Sequence, residues 1–237
     1  MNGESVNRLI GESKNGSLST VNYQLSTLDV KPIIDDPALF AAWYAKMPAW
    51  RRRRIDSMKH ESGKALSLGV GLLLHKALSE MGIEEPDEVS MNEFEKPFYK
   101  EHPEIHFSLS HSGTMAMCAI SDKPVGCDVE HQRQRDLDIA KRFFAKEEYE
   151  LIKSQPTEQE QTSMFFRIWT LKESFIKCIG TGLSTPLNEF SIIPEPEKIT
   201  LTQSISSSEY NFVEINLDDG YKYSVCIKNQ TYEQPTP

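Results

Sequence analysis

Cysteine is scarce in this chain. Its 237 residues hold four, Cys118, Cys127, Cys178 and Cys226, and no two form Cys-x-x-Cys. That excludes a disulfide-stapled scaffold and a zinc ribbon, and leaves reduced thiols in or near the core as the expectation. Long apolar runs are missing as well: stretches such as residues 70–74 fall far short of the ~20 residues a bilayer-spanning helix needs. A polar stretch follows Met1 rather than an apolar leader, so a soluble cytoplasmic protein without a membrane partner is expected. Basic residues are outnumbered, 26 against 35, for a net charge of -9. Such a balance argues against nucleic acid as a partner, although a local basic patch can still receive an anionic small molecule. Finally, no Gly-x-Ser-x-Gly elbow occurs, which weakens any reading of Ser110 and His111 as a hydrolase pair.

What is present has α+β character. Residues 1–20 are rich in Gly, Ser and Asn and read as frayed, and a strand is expected over 21–28. Asp36-Pro37 suits a helix start, and 48–80 reads as mostly helical, with Leu66, Val70, Leu73, Leu74, Ala77 and Leu78 at helical spacing. Strands follow around 107–109, 115–120 and 125–130, with Ser110-His111-Ser112-Gly113 as the tight connection between the first two. Helices are expected over 137–144, 146–153 and 161–179, the last ending at Gly180-Thr181-Gly182. Asp219-Gly220 then joins two strands as a hairpin, ahead of a loose tail. The least strained boundary lies near 121–124, giving one unit over 1–121 and a second over 122–237 that carries most of the chemistry-bearing acids.

The sharpest local signal is Gly126-Cys127-Asp128-Val129-Glu130. Side chains two apart on a strand share a face, so Asp128 and Glu130 point together. Two adjacent like charges need a compensating cation, such as a hard divalent ion, unless the strand edge is simply solvated. The long helix places Trp169, Glu173 and Lys177 four apart on one face. Read alone, Glu173 and Lys177 form an ordinary surface ion pair. Together with the carboxylate strand they suit a groove for a phosphorylated molecule. A third charged feature is the basic run Arg51-Arg52-Arg53-Arg54 with Lys59 and Lys64 beyond it. It is either a solvated helix face or a contact for such a molecule.

Taken together, FSLSHSG at 107–113, VGCDVE at 125–130, AKRFFAKEEY at 140–149 and WTLKESFIKCIGTGLS at 169–184 resemble the 4'-phosphopantetheinyl transferases of the surfactin synthetase-activating (Sfp) type. The resemblance rests on a Gly-x-Asp-x-Glu strand followed some forty residues later by Trp-x-x-Lys-Glu-Ser-x-x-Lys, both complete and in order. It implies two similar α+β lobes related by a pseudo-twofold axis. It also implies transfer of the phosphopantetheine arm of coenzyme A to a serine of an apo acyl, peptidyl or aryl carrier protein, releasing adenosine 3',5'-bisphosphate. By motif match, Asp128, Glu130 and Glu173 would hold Mg²⁺, with Mn²⁺ as the alternative ion. Glu173 would accept the serine proton, Lys177 would contact the phosphates, and Glu148 would assist the metal region or the incoming serine. Lys64, Lys96, Ser110, His111 and Lys172 would join Lys177 in binding coenzyme A. The family's Gly-Lys-Pro reads Glu95-Lys96-Pro97 here, which puts that loop's geometry in question. Two lobes in one chain imply a monomer. The natural carrier and its pathway, whether fatty-acid, polyketide or nonribosomal peptide synthesis, stay open. Alternative readings are a non-catalytic coenzyme A or carrier-binding module and a metal-dependent phosphohydrolase.

Overall fold

Residues 6–14, 20–86 and 88–229 are described by the computed structural model. The chain opens with β1 (Val6–Lys14) and β2 (Thr20–Asp29), paired antiparallel from Val6 opposite Leu28 to Lys14 opposite Thr20. The expected fraying is therefore corrected over 6–14, where the backbone finds a full ladder partner; residues 1–5 and 15–19 lie outside the described residues. Two short helices follow, α1 (Lys31–Asp35) and α2 (Pro37–Tyr44). The carboxylate of Asp36 accepts from the N–H groups of Ala38 and Leu39, satisfying two donors that a helix start leaves open. Next come α3 (Ala49–Asp56) and α4 (Glu61–Glu80). The apolar stripe of α4, with Leu68, Leu74 and Leu78 fully buried, packs on the sheet formed by β1, β2 and two later strands.

A small hairpin, β3 (Ser90–Met91) with β4 (Pro97–Phe98), leads to β5 (His106–Ser112) and β6 (Met115–Ser121). The first sheet has the order β1-β2-β6-β5. Ser110, His111 and Ser112 are thus strand residues, and the reversal is confined to Gly113-Thr114. This corrects the expectation of a four-residue connection. Gly113 is required twice over: its φ is +61°, and a Cβ there would stand 2.5 Å from the hydroxyl of Tyr221.

The second sheet has the order β10-β11-β7, made by β7 (Val125–His131), β10 (Tyr210–Ile215) and β11 (Tyr221–Lys228). Between β7 and β10 lie α5 (Asp138–Phe143), α6 (Lys146–Lys153), α7 (Glu158–Ile179) and the hairpin β8 (Ser191–Pro194) with β9 (Ile199–Thr202). Helix α7 starts three residues before the sequence pattern suggests, because Thr157 and Glu160 close a capping box there. Ile168, Leu171 and Phe175 are fully buried against the second sheet, while Met164 and Ile179 are only half-buried. Gly180, at φ +82°, ends the helix. All four cysteines are free thiols and buried. Among the described residues no helix is long and apolar enough to cross a membrane, and residues 230–237, where a loose tail was expected, lie outside them.

Candidate active site

The site is built where β7, β5 and α7 meet, and Gly126 sets its dimensions. A Cβ on residue 126 would lie 2.0 Å from the carbonyl oxygen of Ser174 and 2.4 Å from the nitrogen of Cys178. Only glycine lets α7 approach β7 this closely. The consequence falls one turn along the helix and two residues along the strand. Lys177 Nζ donates to Asp128 Oδ1 at 2.6 Å, to the Cys127 carbonyl at 3.2 Å and to Ser110 Oγ at 3.0 Å.

The carboxylates share one field. Asp128 is buried; Ser110 Oγ donates to its Oδ1 at 2.7 Å, while its Oδ2 is buried with no hydrogen-bond partner. Glu130 accepts from Ser112 Oγ at 2.7 Å. Burial raises its pKa, and the Asp128 charge adds to the rise against the opposing hydrogen bond from Ser112. Glu173 is pushed up to about 7, first by burial and then by Asp128 and Glu130, with Lys177 pulling the other way. Burial alone would lower Lys177, but Asp128 leads a set of neighbours that leaves it raised and charged. Among the described residues, no three His, Cys, Asp or Glu side chains stand close enough to enclose a metal ion as they are. The donor set nonetheless suits a hard divalent cation: two carboxylates on one strand face, a third acid on α7, and a buried oxygen of Asp128 without a hydrogen-bond partner.

Beside this cluster opens a cavity of about 690 Å³, walled by α3, α4, the 90–97 loop, β5 and the end of α7. Its lining includes Arg53, Arg54, His111 and Lys177, with Arg51 and Lys96 set into the wall. Arg51 is only 3 % exposed and lies over the Trp50 ring, and its Nε and Nη2 have no partner. Burial holds its pKa down to about 10. Burial first, then the Lys177 charge, lowers His111.

Each expected residue therefore has a place. Asp128, Glu130, Glu173, Lys177 and Ser110 are brought together, and His111 faces the adjoining cavity. Lys96 is in the cavity wall, but its ammonium is given to the carbonyls of Lys177, Val125 and Cys178 at 2.7, 3.1 and 3.4 Å. Lys64 pairs with Glu61 at 2.7 Å and does not line the cavity. Glu148 and Lys172 form a closed pair at 2.6 Å, both side chains at 0 % exposure. Glu148 also accepts from the N–H groups of Ala145 and Ile192, and Lys172 donates to the Phe190 carbonyl. The polar atoms of both side chains are thus engaged with one another and with backbone groups, and neither residue lines the cavity.

Sequence reasoning missed the serines at 108 and 112. The strands β5 and β7 run side by side, yet serine hydroxyls stand where a backbone ladder would. Ser108, Ser110 and Ser112 accept from the N–H groups of Cys127, Val129 and His131 at 3.0, 3.4 and 3.2 Å. The alternation of serine in Phe107-Ser108-Leu109-Ser110-His111-Ser112 was the available signal.

Comparison with known proteins decides the family. The sequence pattern of the 4'-phosphopantetheinyl transferase superfamily matches residues 124–226. A 4'-phosphopantetheinyl transferase of Bacillus subtilis is 32% identical over 202 residues, covering 80% of this chain and 90% of that protein. This chain belongs to the 4'-phosphopantetheinyl transferase superfamily. The transferase Sfp of Bacillus subtilis (strain 168) is 37% identical over 146 residues, 61% of this chain and 65% of Sfp. The transferase gsp of Aneurinibacillus migulanus is 39% identical over 135 residues, 57% of this chain and 56% of that protein. The superfamily match takes in β7 and α7 whole, and so every residue of the carboxylate cluster.

Proposed function

We propose that this chain transfers the 4'-phosphopantetheine arm of coenzyme A to a serine of an apo carrier protein, leaving holo carrier and adenosine 3',5'-bisphosphate. The observation that carries the reading is the contact of α7 with β7 across Gly126. It sets one lysine and three acids beside a cationic cavity large enough for a nucleotide. A binding module without turnover has no need of that convergence.

Asp128, Glu130 and Glu173 would hold Mg²⁺, with Mn²⁺ as a substitute. When bound, the ion offsets charge on the pyrophosphate of coenzyme A. Lys177 binds and orients the phosphates as a point charge, and Arg53, Arg54 and His111 hold the nucleotide end in the cavity. Glu173 accepts the proton of the carrier serine as its oxygen attacks phosphorus, and the bond to the 5'-phosphate of the departing nucleotide breaks. The nucleophile comes from the carrier, so no serine of this chain attacks. The two sheets, divided at 121/122, would serve as two lobes of a monomer working in the cytoplasm. Neither nucleic acid nor membrane enters the reaction.

The test is an intact-mass measurement of several apo carriers after incubation with coenzyme A and Mg²⁺. A mass gain matching the arm, abolished by chelation, is expected. No gain on any carrier overturns the transferase reading. Phosphopantetheine released without a carrier would indicate a phosphohydrolase instead.

A further inference from the structure

The seam between β5 and β7 holds an unassigned residue. Ser112 is the last residue of β5, on a sheet that contributes no acid to the carboxylate cluster. Its hydroxyl makes two bonds at once: it accepts from the His131 N–H at 3.2 Å and donates to Glu130 Oε2 at 2.7 Å. A serine hydroxyl has a single proton, and here that proton goes to the carboxylate. Accepting from the backbone at the same time leaves the oxygen no free rotation. The orientation of Glu130 is thus imposed from the neighbouring sheet. Ser110 stands in the same relation to Asp128, two residues earlier on both strands, but its oxygen is shared with Lys177. The Ser112 oxygen is shared only with a backbone N–H, and its one proton goes to Glu130.

We propose that Ser112 is a positioning residue. Through one hydroxyl it fastens β5 to β7 and fixes the Glu130 carboxylate in the orientation a divalent cation requires. Docking of the two sheets and assembly of the ion site then become one event. Partners of this kind, one bond removed from the ion, commonly change metal affinity by about 10–100-fold. This inference rests on the reading of Asp128, Glu130 and Glu173 as ion ligands given above.

The experiment is direct Mn²⁺ binding, followed by electron paramagnetic resonance on the full chain without turnover. It compares wild type, Ser112→Ala, Ser112→Thr, Glu130→Gln, the double variant Ser112→Ala/Glu130→Gln and Asp128→Ala, with folding checked by circular dichroism. Expected results are a roughly tenfold weaker site in Ser112→Ala, recovery in Ser112→Thr, and no further loss when Ser112→Ala is added to Glu130→Gln. Equal losses in both backgrounds would show that Ser112 acts on the fold at large, and would overturn the proposal. Wild-type affinity in Ser112→Ala, with Asp128→Ala impaired, would overturn it while leaving the ion site standing. Absence of Mn²⁺ binding in wild type, or undiminished binding in Asp128→Ala, would remove the ion site itself and the proposal with it.

Discussion

Lys177 and Asp128 meet with Nζ 2.6 Å from Oδ1, while Oδ2 of the same carboxylate is buried without a partner. One oxygen is neutralised by the chain's own cation and the other is left for something the chain does not supply. A lysine on one oxygen and unengaged lone pairs on its twin make a suitable arrangement for holding a phosphate and a metal ion side by side.

Lys177→Ala should therefore harm both stability and turnover. It strands Asp128 beside Glu130 and Glu173 without the cation that its carboxylate contacts. Breaking such a pair costs about 1–3 kcal/mol here, less than for a wholly buried pair because the lysine side chain is 29% exposed. Urea denaturation measures that part. Carrier modification should fall by about 100-fold or more in kcat/KM for coenzyme A after correction for folded fraction. Unchanged kinetics would take Lys177 out of the reaction.

The raised pKa of Glu173 makes the site pH-dependent in a defined direction. An unfolded glutamate releases its proton near 4.5, the folded one at about 7. Between those values the folded state binds the extra proton, so this group's contribution to stability is full below 4.5 and declines as pH rises towards 7. Above 7 the acid is charged and ready for a cation. Mg²⁺ should then raise the melting temperature at pH 8 and have little effect at pH 5.5. Equal shifts at both pH values would contradict the assignment of Glu173 to the ion.

Gly126→Ala tests the approach of α7 to β7. The added carbon would sit 2.0 Å from backbone oxygen, which no rotamer change relieves. A loss of about 3 kcal/mol or more is expected in chemical denaturation, as for severe overpacking. The residual folded protein should lose activity as well, because Lys177 is lifted from Asp128.

Glu148 and Lys172 make the opposite prediction, a stability effect without direct contact with ligand. Lys172→Met alone leaves a buried carboxylate unpaired and should cost about 3–5 kcal/mol. Adding Glu148→Gln should recover part of it while keeping an acceptor for backbone N–H. Folded double variant should bind coenzyme A with wild-type affinity in calorimetry; a large loss of affinity would return Lys172 to the binding site.

Much of this was legible in the sequence. Alternation put Asp128 and Glu130 on one strand and helical spacing put Glu173 and Lys177 on one face, because periodicity is a local property. The family motifs added the expectation that strand and helix meet. The errors share a cause. Ser110-His111-Ser112 has turn-like composition, yet it extends as strand because its backbone pairs with Met115–Met117 of β6, while its two serine hydroxyls are taken up by β7. Residues 6–14 look too polar to order until their pairing with β2 is known. Glu148 and Lys172 fall in motif stretches that imply contact with the site, and only the three-dimensional packing reveals them facing one another. Glu95, standing where the family has glycine, keeps the turn by adopting φ +64°, a conformation glycine would hold with less strain.

The three carbonyl bonds of Lys96 have a practical consequence. Its ammonium is wedged among the backbones of β7 and the last turn of α7, and burial lowers its pKa. An amine-acylating reagent should label this lysine slowly, and faster when the 90–97 loop lifts away. The rate at which Lys96 is labelled, relative to exposed Lys146, is therefore a clock for breathing of that cavity wall, readable by mass spectrometry without any probe attached.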